Sequence, residues 1–205
     1  ALLGKDPVCG LRVFFGEPLK GGYAISELMV KATPLLIIAL GLAVCFRSNV
    51  WNIGAEGQFV IGAVFAAGVA LLAGPDTGRW IVVAILLAGV VGGMFWAGIT
   101  ALLRDRFNAN EILVSLMLVY VAIQVLNFLV YGPWKDPLGY NFPQTKTFDA
   151  VTQIPKLMQG SRVSIGLLLA LAGAAAAWVL LFRTHAASAQ LVGGLAPAAA
   201  RYAGF

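Results

Sequence analysis

Five stretches of this chain are long and apolar enough to cross a lipid bilayer. Polar breaks separate them at about 27–46, 53–73, 80–103, 111–131 and 163–182. A helix rises 1.5 Å per residue and the hydrocarbon core is about 30 Å thick, so roughly twenty residues make one span. Inside that core every backbone amide and carbonyl must be paired within the protein, which for runs of this length means helices. The expected fold class is an all-α integral membrane protein, a polytopic bundle of about five transmembrane helices. Composition agrees, with 60% of residues apolar, 11% charged and a mean hydropathy of +0.87. Soluble domains carry roughly a quarter charged residues.

A net charge of +5 and a pI near 9.5 raise the question of nucleic-acid binding. The fourteen Lys and Arg stand singly between apolar runs and form no patch, so they are read as flanks of membrane spans, with a lipid bilayer and no nucleic-acid polymer as partner. Five spans place Arg47, Arg104, Arg106, Arg183 and Arg201 on one side. Cys9 and Cys45 have no metal or redox spacing. The single histidine, His185, falls outside the spans and reads as a solvated loop residue. No Gly-x-Ser-x-Gly, His-Glu-x-x-His or Gly-x-x-x-x-Gly-Lys-[Ser/Thr] motif occurs. Neither catalysis nor nucleotide hydrolysis is expected of this chain, and no metal or organic cofactor is implied.

The chain reads as one membrane domain, 1–205. Residues 1–26 form a surface segment leading into the first span, with Ile25, Leu28, Met29 and Ala32 at helical spacing. Pro34 should bend that span or free backbone carbonyls. The third span carries Gly89, Gly93 and Ala97 four residues apart, a small-residue ridge suited to close helix packing. Residues 132–162 are the longest polar connection, and Trp134, Tyr140 and Phe142 suit either interfacial anchoring or docking.

Two polar features lie within or beside the spans. In Arg47-Ser-Asn-Val-Trp-Asn-Ile-Gly-Ala-Glu-Gly-Gln58, Asn52, Glu56 and Gln58 stand among glycines between two apolar runs. The run from Phe59 to Ala73 is only about 22 Å long as a helix, so the second span must draw in Ile53–Gln58 and bring Glu56 to the membrane edge. An ionisable group there is either functional or a carboxylate favoured by the positive helix end. In the fourth span, Tyr120, Gln124, Asn127 and Tyr131 share a face, as helix glue or as the lining of a polar pathway. Asn108, Asn110 and Glu111 precede that helix, with Asn suited to capping.

At Trp51-Asn52-Ile53-Gly54-Ala55-Glu56-Gly57-Gln58 the chain resembles the permeases of nucleoside and simple-sugar ATP-binding cassette (ABC) importers, in the larger group that includes ribose and branched-chain amino acid permeases. Asn110-Glu111-Ile112, followed by Ser115-Leu116-Met117-Leu118 and Tyr120, is similar to a second motif of that family. Arg183-Thr184, then Gly194, Pro197 and Ala199-Ala200-Arg201-Tyr202-Ala203-Gly204, is similar to its cytoplasmic coupling loop. The chain departs from the family pattern at Ala187, Ala189, Leu191, Leu195 and Ala196, where that loop is bleached of charge. A start at Ala1 without Met and an end at Phe205 suggest a piece of a longer permease, truncated at both ends.

The resemblance implies a type II importer-like permease in the plasma membrane, moving nucleosides or related simple sugars. It implies three partners: a cytoplasmic ATP-binding subunit, a second permease subunit in a homo- or heterodimer, and an extracytoplasmic substrate-binding protein. Residues 183–205 would be a cytoplasmic coupling loop, with Arg183, Gly194, Pro197, Arg201 and Tyr202 at the ATPase and a helix within 190–202. Residues 1–26 and 132–162 would face outside. The substrate pathway would run between the first two spans, with Asn52, Gly54, Glu56, Gln58, Asn110, Glu111, Tyr120, Gln124 and Asn127 along it. Two rival classes are an ion-coupled transporter or channel that uses Glu56, and a structural membrane subunit that does not transport.

Overall fold

The computed structural model describes residues 6–74, 76–140, 142–157 and 160–204. Its α-helices are α1 (Pro7–Gly16), α2 (Gly22–Arg47), α3 (Ala55–Leu72), α4 (Ile81–Phe107), α5 (Glu111–Tyr131), α6 (Gly166–Arg183), α7 (His185–Leu195) and α8 (Pro197–Tyr202). The described residues form no strand, only isolated bridges pairing Lys135 with Thr145 and Lys156 with Ser164. Helices α2 to α6 are 18 to 27 residues long and apolar enough to span a membrane. The expected all-α polytopic class is the one observed among the described residues.

Differences from the sequence reading fall at the element ends. Ile25, Leu28, Met29 and Ala32 are already inside α2, because the chain turns at Gly21 with φ 91° and the helix starts immediately after it. The helix runs on through Pro34, beside which the Thr33 hydroxyl donates to the Met29 carbonyl at 2.8 Å. Asn108 closes α4 in a left-handed conformation, its amide donating to the Leu103 carbonyl. Asn110 alone caps α5, its side-chain oxygen accepting from the amides of Ile112 and Leu113 at 3.0 and 3.5 Å. His185 opens α7 rather than sitting in a loop. The helix expected within 190–202 is two helices, since Ala196 leaves the helical conformation (φ −144°, ψ 76°) and Pro197, which has no N–H to give, starts the second.

The chain divides into two compact units. In the first, residues 1–41 with 154–184, a Cβ on Gly173 of α6 would lie 3.6 Å from Leu40 of α2. There Arg162 pairs with Glu27 at 3.5 Å. In the second, residues 42–153 with 185–205, α3 packs chiefly on α4 and then on α5. The small-residue ridge of α4 explains why. A Cβ on Gly62 of α3 would stand 2.9 Å from the Gly89 carbonyl oxygen, so these helices meet backbone to backbone. Leu86, Leu87, Val90, Val91, Met94 and Phe95 of α4 are left exposed, an ordinary surface toward lipid and an association hazard in water.

Candidate functional site

Where α2 and α4 end and α3 and α5 begin, the second unit holds a half-open cavity of about 510 Å³. Its walls are Cys45, Val50, Trp51, Asn52, Gln58, Ala97, Thr100, Ala101, Arg104, Asp105, Asn108 and Glu111. It is therefore not held between the first two spans alone, because α4 and the start of α5 complete it. The volume lies in the range of small-molecule sites, roughly 300–1,000 Å³, and a mainly apolar wall with a few convergent polar groups is their usual chemistry.

Two polar pairs organise the wall. Asn52 and Gln58 face each other with both half-buried, and each donates to the other: Asn52 Nδ2 to Gln58 Oε1 at 3.1 Å, and Gln58 Nε2 to Asn52 Oδ1 at 3.3 Å. The Gly54 amide also donates to Asn52 Oδ1 at 3.0 Å, so one side chain ties the entry loop to the first turn of α3. Across the cavity rim, Arg104 Nη1 and Glu111 Oε1 are 3.3 Å apart, with Glu111 about one-fifth exposed. This pair crosses the short turn from α4 to α5. The lining groups thus include an uncharged amide pair and a neutralised ion pair, a set able to donate and accept hydrogen bonds without demanding a counter-charge.

Gly54 shapes this site without lining it. A Cβ there would lie 2.8 Å from the Ser115 Cβ and 2.9 Å from the Ser115 carbonyl oxygen, so the start of α3 rests directly on α5. Ser115 is 1% exposed, its hydroxyl donating to the Ile112 carbonyl at 3.1 Å. Glu56 occupies the first turn of α3 but is exposed and lies outside the cavity wall. Asn110 acts as the cap already described. Tyr120, Gln124 and Asn127 lie further along α5, exposed, with Asn127 Nδ2 donating to Gln124 Oε1 at 3.1 Å. Of the nine expected pathway residues, the cavity gathers Asn52, Gln58 and Glu111.

Thr100, Arg104 and Asp105 were legible in sequence only as the polar end of a span. Thr100 and Arg104 are four residues apart and Ala97 and Ala101 flank Thr100, a spacing that puts small and polar groups on one face. Among the expected coupling residues, Arg183 ends α6 with its guanidinium 5.3 Å from the centre of the Trp178 ring. Gly194 is half-buried near the end of α7. Arg201 and Tyr202 are exposed on α8, and Pro197 opens that helix, its side chain outside the described residues.

Residues 24–205 match the family model described as the branched-chain amino acid transport system / permease component. The chain belongs to this family. The match takes in the whole cavity and both α7 and α8. Among similar proteins, a glucose ABC transporter permease protein of Haloferax volcanii, TsgB13, is 35% identical over 98% of this chain and 55% of its own length. The guanosine ABC transporter permease protein NupP of Bacillus subtilis is 28% identical over 89% of this chain and 52% of its own. The nucleoside ABC transporter permease protein NupB of Lactococcus lactis is 26% identical over 98% of this chain and 57% of its own. The chain spans about half the length of these curated relatives. No solved structure matches it. As a family member with five helices among the described residues long and apolar enough to span, it is a multi-pass protein of the plasma membrane.

Proposed function

We propose that this chain is the core of a permease subunit of an ABC importer, and that its cargo is a nucleoside or a related simple sugar. The observation that carries the reading is the cavity framed by the Asn52–Gln58 pair, within a chain that matches the permease family from residue 24 onward. Each amide can exchange its internal partner for a hydroxyl or ring nitrogen of an uncharged polar ligand. Because the pair is satisfied when empty, ligand binding replaces hydrogen bonds instead of adding them, and affinity stays low. That suits a pathway that must release its cargo. The names of the glucose, guanosine and nucleoside relatives support this class of cargo.

In this reading the end carrying the cavity, α7 and α8 is cytoplasmic, and the loop from residue 132 faces outside. A cytoplasmic ATP-binding subunit engages the exposed Arg201 and Tyr202, a second permease subunit completes the pathway, and an extracytoplasmic binding protein delivers cargo. ATP binding moves the permease between two arrangements, so its work is conformational. Glu56 outside the cavity favours this reading over an ion-coupled one.

The test is uptake of radiolabelled uridine, adenosine, ribose and glucose by cells carrying the full-length permease with its ATPase and binding protein. An ATPase-dead partner serves as control. Uptake that disappears with the dead ATPase is the expected outcome, and its cargo profile separates nucleoside from sugar. Uptake indifferent to the ATPase and lost in Glu56→Gln would replace the reading with the ion-coupled one.

A further inference from the structure

We propose that the contact between Gly194 of α7 and the Ser48–Asn49 turn is the mechanical joint through which movement of α7 reaches the cavity, and that Asn49 is its positioning residue. The proposal rests on the importer reading and adds a route to it. Asn49 Nδ2 donates to the Gly194 carbonyl at 3.3 Å, joining residues 145 apart in sequence. A Cβ on Gly194 would collide with the Ser48 carbonyl group and stand 3.0 Å from the Asn49 nitrogen. Helix α7 therefore sits on this turn with no room for a side chain. The inward face of Gly194 makes it part of the joint rather than part of a surface offered to a partner.

The turn has little slack. The Ser48 amide donates to the Cys45 carbonyl at 3.0 Å, the Asn49 amide to Phe46 at 3.1 Å and the Val50 amide to Cys45 at 3.0 Å. Asn49 holds φ 53°, a left-handed conformation that asparagine tolerates better than most residues. Directly beyond it, Val50, Trp51 and Asn52 line the cavity, as Cys45 does on the helix side. The Asn52 amide returns to the Val50 carbonyl at 3.2 Å, and the rings of Phe46 and Trp51 lie 5.5 Å apart. A displacement of α7 thus shifts a closed turn whose next residues are cavity wall. At the other end of α7, Ala187 is 2% exposed, so the helix is seated at both ends. Tyr202 of α8, 96% exposed, remains free for an outside contact.

The experiment measures uridine and glucose uptake and ATP hydrolysis in parallel, in proteoliposomes holding the full-length permease with its ATPase and binding protein. Asn49→Gly keeps the left-handed turn and removes the donor. Asn49→Asp keeps the side-chain shape and sets an acceptor against the Gly194 carbonyl. Gly194→Ala forces α7 off the turn. The expected result is ATP hydrolysis held within about twofold while uptake falls about three- to tenfold in Asn49→Gly, the scale of one hydrogen bond, and further in the other two. Uptake per ATP unchanged in both Asn49 variants, or uptake and hydrolysis falling together, overturns the joint. Should Gly194→Ala fail to assemble, the Asn49 variants decide.

If wild type shows no ATP-dependent uptake, the importer reading fails by itself. The joint is then read from a spin label on Cys45 in a background where Cys9 and any other cysteine of the full-length permease are replaced by Ser. A spectrum altered by Asn49→Gly supports it, and an unchanged spectrum overturns it.

Discussion

Two amide pairs in this molecule are nearly the same bond in opposite settings. Asn52 gives its Nδ2 to Gln58 Oε1 and Asn127 gives its Nδ2 to Gln124 Oε1, both at 3.1 Å. The first pair is half-buried and forms the wall of a cavity, closed behind by α4 and α5. The second stands exposed on the outer face of α5. Internal pairing serves different ends in the two places. In the cavity it keeps polar groups satisfied, and under the proposed function a ligand would compete for them. On the spanning helix it lowers the cost of amides that would otherwise stand unpaired at membrane depth. What a polar pair does is decided by which helices close around it.

The strongest way to break the comparison is to remove the packing that turns the first pair inward. Gly54→Ala pushes a methyl onto the Ser115 backbone and should destabilise the permease by about 1–3 kcal/mol, read as a lower unfolding midpoint in detergent. An unchanged midpoint would mean that α3 does not depend on this close approach. Next in size, Asn52→Ala removes the three hydrogen bonds that converge on one side chain. Uptake should fall about tenfold or more with membrane insertion intact.

The outward pair should respond in another assay and more weakly. Asn127→Leu should leave unfolding of the single chain nearly unchanged and weaken association with the proposed second permease subunit about threefold, the scale of one interhelical polar contact in a membrane. Analytical ultracentrifugation in detergent measures it. If Asn127→Leu instead lowered uptake as far as Asn52→Ala does, the two pairs would belong to one pathway and the contrast would dissolve. The smallest effect is expected at Glu56, which shares the first turn of α3 with Gln58 but is exposed. Glu56→Gln should hold uptake within about twofold.

Much of this fold was legible because the bilayer is a stringent solvent. Runs of apolar residues long enough to span are read directly, and all five became helices with ends within a few residues of expectation. The ends moved for local reasons, such as the turn at Gly21 and the left-handed Asn108 that closes α4, that hydropathy does not register. The site was half legible. Asn52 and Gln58 stood out as polar residues among glycines, and Glu111 as a charge at a helix start. Thr100 and Arg104 did not, because a polar residue near the end of a span looks the same whether it faces headgroups or a cavity. The Asn49–Gly194 contact was invisible for a different reason, since nothing local in either segment names the other.

By itself the sequence determined the class, the number of spans and the places where polar groups interrupt them, because solvation by lipid acts on each segment separately. Tertiary structure alone decided which polar groups face each other, since that depends on close approach between helices distant in the chain. Glycines at 54, 62 and 194 permit those approaches only where the facing surface is backbone or a small side chain, and the facing surface is a property of the assembled fold.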